Sequence, residues 1–296
     1  MKEVRIYQVD AFTEEPFGGN PAGVVLEADS LKDEEMLHIA REMNLSETAF
    51  VTPSDKADFR VRFFTPTGEV DLCGHATVAT FHALSEKGFL SSEGSVFTQE
   101  TRAGVLEVTR SFRDGRPLFT MTQARPRYRE MGDLAGEIAE ILNLKMEDLM
   151  EAAPLKVSTG LWWLVAGVRR LETVRNLAPA MENLRAFSER YGVVGVVPLC
   201  LETLNSERSF HMRAFAPLVG IAEDPVCGTC NGCAGAFLAY HDLLPGGDLV
   251  ELQSEAGFEV GRPGRVTVTV RRNQGEVVRI EVGGSGVTVL EGIMRF

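Results

Sequence analysis

No stretch of this 296-residue chain is apolar for long enough to cross a bilayer. Its longest apolar runs, residues 161–168 and 192–201 (the second broken by Pro198), are short beside the ~20 residues that a membrane-spanning helix needs. An apolar leader is missing too. Met1-Lys2-Glu3 leads straight into an alternating strand, so a cytoplasmic protein is expected. Positive charge is in deficit, with 30 Lys+Arg against 42 Asp+Glu and a net charge of −12. That balance argues against general nucleic-acid or anionic-membrane binding, since both reward basic patches. An anionic substrate would have to be captured by local dipoles. Cysteines number only five, an odd count, and a chain of this size does not need disulfide staples. Gly283-Gly284-Ser285-Gly286 lacks the Lys-Ser/Thr of a phosphate loop and reads as a turn.

What is present is ordinary for a folded protein. The chain is 44% hydrophobic and 24% charged, enough for a sizeable core at a length that suits two domains. It also resembles itself. Arg62-Phe63-Phe64-Thr65-Pro66 is answered by Arg213-Ala214-Phe215-Ala216-Pro217, 151 residues on. Glu69-Val70-Asp71-Leu72-Cys73-Gly74 is answered by Glu223-Asp224-Pro225-Val226-Cys227-Gly228 at an offset of 154, and Ala103-Gly104 by Ala256-Gly257 at 153. Order is kept and the offset drifts by three residues, as one small loop insertion produces. Two similarly folded halves are expected.

Each half has the same grammar. In the first, residues 4–9 alternate as a strand, and the turn-rich Gly18-Gly19-Asn20-Pro21-Ala22-Gly23 precedes a short strand at 24–26. Ser30 is expected to cap a helix that has Asp33, Glu34 and Glu35 in its first turn and ends near Met43. Glu47 sits at the mouth of a strand over 48–51. A strand at 59–64, a buried helix at 74–87 and strands at 105–110 and 118–122 complete the half. The second half reads as a strand at 161–165, a helix at 181–191, strands at 193–197 and 210–215, a helix at 228–241, and strands at 266–271 and 277–282. Residues 125–131 read as the crossing, and 287–296 as a last strand able to return and close the first sheet. The expected domains are 1–124 completed by 287–296, and 125–286.

In both halves a strand and a Cys-Gly turn open a buried helix. Helix N-termini present unpaired N–H groups and partial positive charge, which bind carboxylates and depress thiol pKa values. Two such termini would make a pocket for an acid-bearing metabolite. Cys227, Cys230 and Cys233 invite a metal reading, but thiolate ligands need a loop that curls around the ion and a fourth ligand. On a helix beginning at Gly228, Cys230 and Cys233 are instead small core residues, and Cys200, alone in an apolar run, is a buried one. Of Trp162 and Trp163, one should face inward and one outward. Plainer roles stand beside the chemical ones. Glu47 could be a solvated loop carboxylate, His75 a ring bonded within its own helical turn, Asp224 a capping carboxylate and Cys73 an inert buried thiol.

Phe17-Gly18-Gly19-Asn20-Pro21-Ala22-Gly23-Val24, Leu45-Ser46-Glu47-Thr48-Ala49-Phe50-Val51, Asp71-Leu72-Cys73-Gly74-His75-Ala76-Thr77 and Glu223-Asp224-Pro225-Val226-Cys227-Gly228 together resemble the PhzF-like (phenazine biosynthesis-like) family. The stretch from Glu255 to Arg265 is similar to that family's late segment, so the likeness runs from end to end. The resemblance implies an α+β fold shared with diaminopimelate epimerase and proline racemase. That fold has two pseudo-symmetric domains, each a mixed or antiparallel sheet around a central helix, with the site between them. It implies a cofactor-independent isomerase, without metal, acting on a small carboxylate-bearing substrate, and a homodimer. Carried over by position, it makes Glu47 the general acid/base, with His75 and Asp224 supporting it. Gly74 and Gly228 lend N–H groups to the substrate carboxylate, and Thr229 and Asn20 contact substrate. Such a carboxyl group is expected to have its pKa raised towards neutrality by burial.

One departure from the family pattern bears on mechanism. Cys227 stands where the family's Asp-Pro-x-Thr-Gly pattern has Thr, so a cysteine precedes each helix start, as in the epimerases and racemases of this fold. A thiol and a thiolate on opposite faces of an α-carbon can racemise it without a cofactor. A two-thiol amino-acid or hydroxy-acid racemase using Cys73 and Cys227 is therefore the second reading. A catalytically idle binding or scaffold protein is the third, and it leaves Glu47, His75 and Asp224 without purpose.

Overall fold

Two 13-residue helices, Gly74–Glu86 and Gly228–Tyr240, carry apolar or small residues around almost their whole circumference, and a helix of that kind has to be surrounded. The computed structural model describes residues 2–296 and shows how each is covered. The chain divides into two compact units, Met1–Thr122 with Gly283–Phe296, and Gln123–Val282.

The first unit runs β1 (Glu3–Ala11), β2 (Asn20–Val25), α1 (Asp33–Met43), β3 (Thr48–Thr52), β4 (Phe59–Phe64), β5 (Glu69–Val70), α2 (Gly74–Glu86), β6 (Val96–Thr101), β7 (Gly104–Arg113) and β8 (Arg116–Thr122). The second runs β9 (Arg127–Glu130), α3 (Ala135–Ile141), β10 (Leu155–Ser158), β11 (Trp162–Gly167), α4 (Leu171–Arg175), α5 (Met181–Tyr191), β12 (Val196–Cys200), β13 (Phe210–Met212), α6 (Gly228–Tyr240), β14 (Leu249–Ala256), β15 (Gly264–Asn273) and β16 (Glu276–Gly284). The last strand, β17 (Gly286–Arg295), lies antiparallel to β1, from Glu3 opposite Arg295 to Ala11 opposite Gly286.

The pairings repeat. In the first unit β1–β2 is antiparallel, β2–β3 parallel, β3–β4 antiparallel, β4–β6 parallel and β6–β7 antiparallel. In the second, β10–β11, β11–β12, β12–β13, β13–β14 and β14–β15 follow the same order of senses. Each parallel link needs a crossover, and equal helices supply them. The 11-residue α1 and α5 serve the first link, and the 13-residue α2 and α6 the second. Each unit is thus a mixed sheet wrapped around one central helix.

Local physics explains the burial of those helices. α2 packs on β1, β2, β3, β8 and β17, and α6 on β10, β11, β12 and β15. The threonines that α2 buries bond back along the helix: Thr77 Oγ1 to the Cys73 carbonyl at 2.8 Å, Thr80 Oγ1 to the Ala76 carbonyl at 2.7 Å. In α6, Asn231 Nδ2 does the same to the Cys227 carbonyl at 2.9 Å. Gly235 lets α6 press onto the sheet, since a Cβ there would lie 2.7 Å from Val268 Cγ1. Cys200 is fully buried, Trp163 is buried and Trp162 half-buried. Among the described residues no helix is long and apolar enough to cross a membrane.

Four local expectations need correction. Ser30 does not cap α1. The Leu31 N–H closes a turn onto the Ala28 carbonyl at 3.0 Å, and the cap is Lys32, whose N–H is taken by the Glu35 carboxylate at 2.8 Å. The strand expected at 193 starts at Val196, because Gly192 at φ 61° ends α5 and the Val193 N–H bonds back to the Ser188 carbonyl. Residues 125–131 are more than a crossing, for they contain β9, paired with β10. Gly283–Gly286 is no turn: β16 runs to Gly284 and β17 starts at Gly286, where a Cβ would lie 3.0 Å from the His82 ring.

Gly195 sits where two backbones meet, and a Cβ there would fall on the Phe215 carbonyl. Because backbone cannot swing aside as a side chain can, Gly195→Ala is expected to lower the unfolding free energy by at least ~1–3 kcal/mol. Urea denaturation measures this, and a variant as stable as the parent contradicts the close approach.

Candidate active site

The N-terminus of α2 comes to the surface of its sheet beside the start of β3. The Glu47 carbonyl accepts the Gly23 N–H at 3.1 Å, closing the β2–β3 pairing. Its side chain therefore lies at the mouth of the strand, 17% exposed. Cys73 is the extended N-cap of α2, and Gly74 and His75 form the first turn.

Two ionisable side chains and a hydroxyl converge on the buried His75. Its Nε2 lies 3.2 Å from Glu47 Oε2 and 3.3 Å from Ser46 Oγ, and its Nδ1 lies 3.4 Å from Cys73 Sγ. The Glu47 contact is an ion pair by distance, but Oε2 is not aligned for a hydrogen bond. Looseness of this kind is common in catalytic contacts before substrate arrives.

The electrostatics correct one expectation. Burial alone pushes the Glu47 carboxyl upward, but the adjacent His75, with Ser46 and Cys73, more than reverses this and holds it below its ordinary value. Burial pulls His75 down, while the Cys73 sulfur and the Glu47 carboxylate together push it well above its ordinary value. Cys73 is itself pushed up to about 11, chiefly by burial and then by the Glu47 charge. With that thiol neutral, the Glu47 carboxylate is the part of the push that remains to oppose burial. These directions favour a carboxylate, an imidazolium and a neutral thiol side by side.

The start of α6 gathers the corresponding residues of the second unit. The Asp224 N–H reaches the Ala214 carbonyl at 2.8 Å, and its Oδ1 accepts the Val226 N–H at 3.0 Å. Cys227 is the buried N-cap, and its Sγ accepts the Cys230 N–H at 3.3 Å. Gly228 is buried, and the Thr229 carbonyl accepts from Thr159 Oγ1 at 3.4 Å. Asn20, also buried, opens β2 opposite Ala11. The structure thus brings Glu47, Cys73 and His75 together beside Gly74, and Asp224, Cys227, Gly228 and Thr229 around the other helix start.

Sequence reasoning missed Ser46 as a partner of His75, although it stands next to Glu47. It also missed a second buried imidazole, His211, held between Glu255 at 3.1 Å and Glu259 at 3.3 Å on opposite ring nitrogens. Glu255 further accepts the Leu204 and Asn205 N–H groups, each at 2.8 Å, so this cluster fastens a loop.

Metal chemistry was weighed on the same residues. Glu47, Cys73 and His75 offer ligand atoms within 4.8 Å of one another, but an ion there would have to displace the thiol and imidazolium protons. Cys230 and Cys233 lie fully buried in α6, and burial raises both thiols, Cys233 to about 12. They are core residues.

The family described as phenazine biosynthesis-like protein matches residues 9–292. A Bacillus subtilis (strain 168) protein named uncharacterized isomerase YfhB is 35% identical over 289 residues, covering 97% of each chain. The crystal structure of a Bacillus anthracis phenazine biosynthesis protein of the PhzF family superposes with a TM-score of 0.93 at 36% identity, covering 100% of both chains. A hydroxyproline epimerase from Agrobacterium vitis, solved with bound trans-4-hydroxy-L-proline, shares the fold at a TM-score of 0.59 and 16% identity, covering 99% of this chain and 91% of its own.

The raised Cys73 thiol is open to direct test. Its alkylation by iodoacetamide, followed by peptide mass spectrometry, should stay slow at neutral pH and accelerate only as pH approaches about 11. A rate already at its plateau near pH 7 contradicts the assignment.

Proposed function

The chain belongs to the phenazine biosynthesis-like family and is an isomerase, and from that premise we propose that Glu47 moves a proton along the carbon skeleton of a small carboxylate-bearing metabolite. The observation that carries this reading is the buried contact of 3.2 Å between Glu47 Oε2 and His75 Nε2. It keeps Glu47 ionised and able to accept a proton despite burial.

The step balances without a cofactor. The Glu47 carboxylate takes a proton from a substrate carbon, and the electron pair of the broken C–H bond passes into the substrate's conjugated system. The neutral carboxylic acid then returns the proton to another carbon, regenerating Glu47. While Glu47 is neutral, the His75 charge loses its counter-ion and stabilises the anion developing on the substrate. The main-chain N–H of Gly74 receives the substrate carboxylate, the role that the resemblance also gives Gly228. His75 and Asp224 support the transfer, and Thr229 and Asn20 contact substrate. These roles follow the family resemblance residue by residue.

The two-thiol reading has one observation in its favour: Cys227 Sγ, at the N-cap of α6, accepts the Cys230 N–H at 3.3 Å. It also requires a thiol and a thiolate that exchange roles in every turnover, and a Cys73 raised to about 11 exchanges poorly.

Small carboxylic acids incubated with the enzyme in D₂O and followed by NMR will identify a substrate that exchanges a C–H proton. With it, Glu47→Gln should slow exchange by at least ~10²-fold, the scale of a lost general base, while Cys227→Ser exchanges at a rate near the parent's. The opposite pattern sinks the Glu47 assignment and supports the thiol pair.

A further inference from the structure

We propose that two arginine–glutamate forks, the half-buried Arg62–Glu69 and the more deeply buried Arg213–Glu223, are positioning pairs that set the strand-to-helix turns carrying the candidate site. The proposal rests on the reading of Glu47 and His75 as the proton-carrying pair.

The two forks match in detail. Arg62 Nε and Nη2 donate to the two carboxylate oxygens of Glu69, each at 2.8 Å. Arg213 Nε and Nη2 donate to those of Glu223 at 2.9 and 2.8 Å. Each guanidinium stacks on the phenylalanine two residues further on, at 5.1 Å from the Phe64 ring and 4.7 Å from the Phe215 ring. Each uses its remaining nitrogen to reach a neighbouring helix. Arg62 Nη1 donates to Asp33 in the first turn of α1 at 2.7 Å, and Arg213 Nη1 to the Val174 and Leu177 carbonyls around the end of α4 at 3.1 and 2.8 Å.

Spacing shows what the forks hold. Glu69 stands four residues before Cys73, and Glu223 four before Cys227. The arginine-to-glutamate spacing differs, seven residues in one unit and ten in the other. The longer loop contains the 3-10 turn Pro217–Val219, so the drift in the internal repeat falls between arginine and glutamate. Loop length has changed while the distance from fork to cysteine has not.

The forks act alongside other ties: at the first turn Arg102 reaches Glu69 at 3.6 Å and Asp71 at 3.3 Å, and the Ala103 N–H reaches the Asp71 carbonyl at 3.3 Å. β5 has two residues, paired to β4 only through Phe63–Val70 and Phe64–Glu69. In the second unit the Ala216–Ile221 bridge and the Asp224 N–H to the Ala214 carbonyl take its place. A bidentate guanidinium–carboxylate pair adds directional constraint that such short pairing lacks. Buried ion pairs contribute little net stability compared with apolar replacements, so their value lies in geometry.

The test uses full-length protein and needs no substrate. Arg62→Lys keeps the charge but removes the fork. With the turn loosened, water reaches Cys73 and His75 moves away from Glu47. At pH 8, Cys73 alkylation should speed up about tenfold, the thiolate gain from a fall of one in pKa. The His75 titration, followed by ¹⁵N NMR, should move down towards its ordinary range. A folded variant with both unchanged overturns the proposal. Glu69→Gln, nearly isosteric, covers the case in which Arg62→Lys fails to fold: the same two shifts support the proposal, and their absence overturns it. Glu47→Gln serves as the control. If His75 does not titrate lower in that variant, the ion-pair reading itself fails; if it does while the fork variants leave His75 and Cys73 unchanged, only the fork proposal fails.

Discussion

A helix that is apolar on every side has to be covered on every side, and in each unit a sheet does the covering. α2 and α6 bury residues from all of their faces, so the strands must wrap them and the crossovers must be long enough to carry the chain around. The polar end of such a helix cannot be hidden. Its first N–H groups need partners, and the one place where they meet other polar groups is the turn that delivers the helix from the sheet. Chemistry collects there for the same reason that the fold closes there.

The two units solve the problem with the same parts. A fork-bearing strand, a turn of fixed length and a cysteine cap precede each central helix. A side chain one turn in, Thr77 or Asn231, bonds back to the carbonyl of the cap. Among the described residues, the first unit has a carboxylate–imidazole pair at that end, Glu47 with His75, where the second has Asp224 and Cys227. This asymmetry within a repeated frame favours the proposed proton transfer by Glu47 over a symmetric pair of thiols.

Much of this was legible in the residues. The duplication could be read from three matched segments, and the helix at 181–191 and the strand at 59–64 could be read from their patterns. Strands that bury polar residues could not. The inward face of β6 includes Gln99, which makes sense only once its amide meets Thr77 at 3.2 Å. β14 buries Ser254 and Glu255, the latter held by His211 and two loop N–H groups. Five-residue α4 is too short to show a period. At the site, the identities of Glu47, Cys73 and His75 were legible through family resemblance, but the ionisation of Glu47 was not. Burial pointed one way, and a histidine distant in sequence decided the other.

The account therefore turns on one electrostatic claim, that Glu47 and His75 rest as carboxylate and imidazolium in a buried site. The ¹⁵N NMR spectrum of His75 in the wild-type protein, titrated from pH 6 to 9, tests it most directly. The account predicts a ring protonated on both nitrogens at neutral pH, losing its proton only well above the ordinary histidine range. A ring already neutral at pH 7 would contradict it, because Glu47 would then lack the charge that keeps it a base.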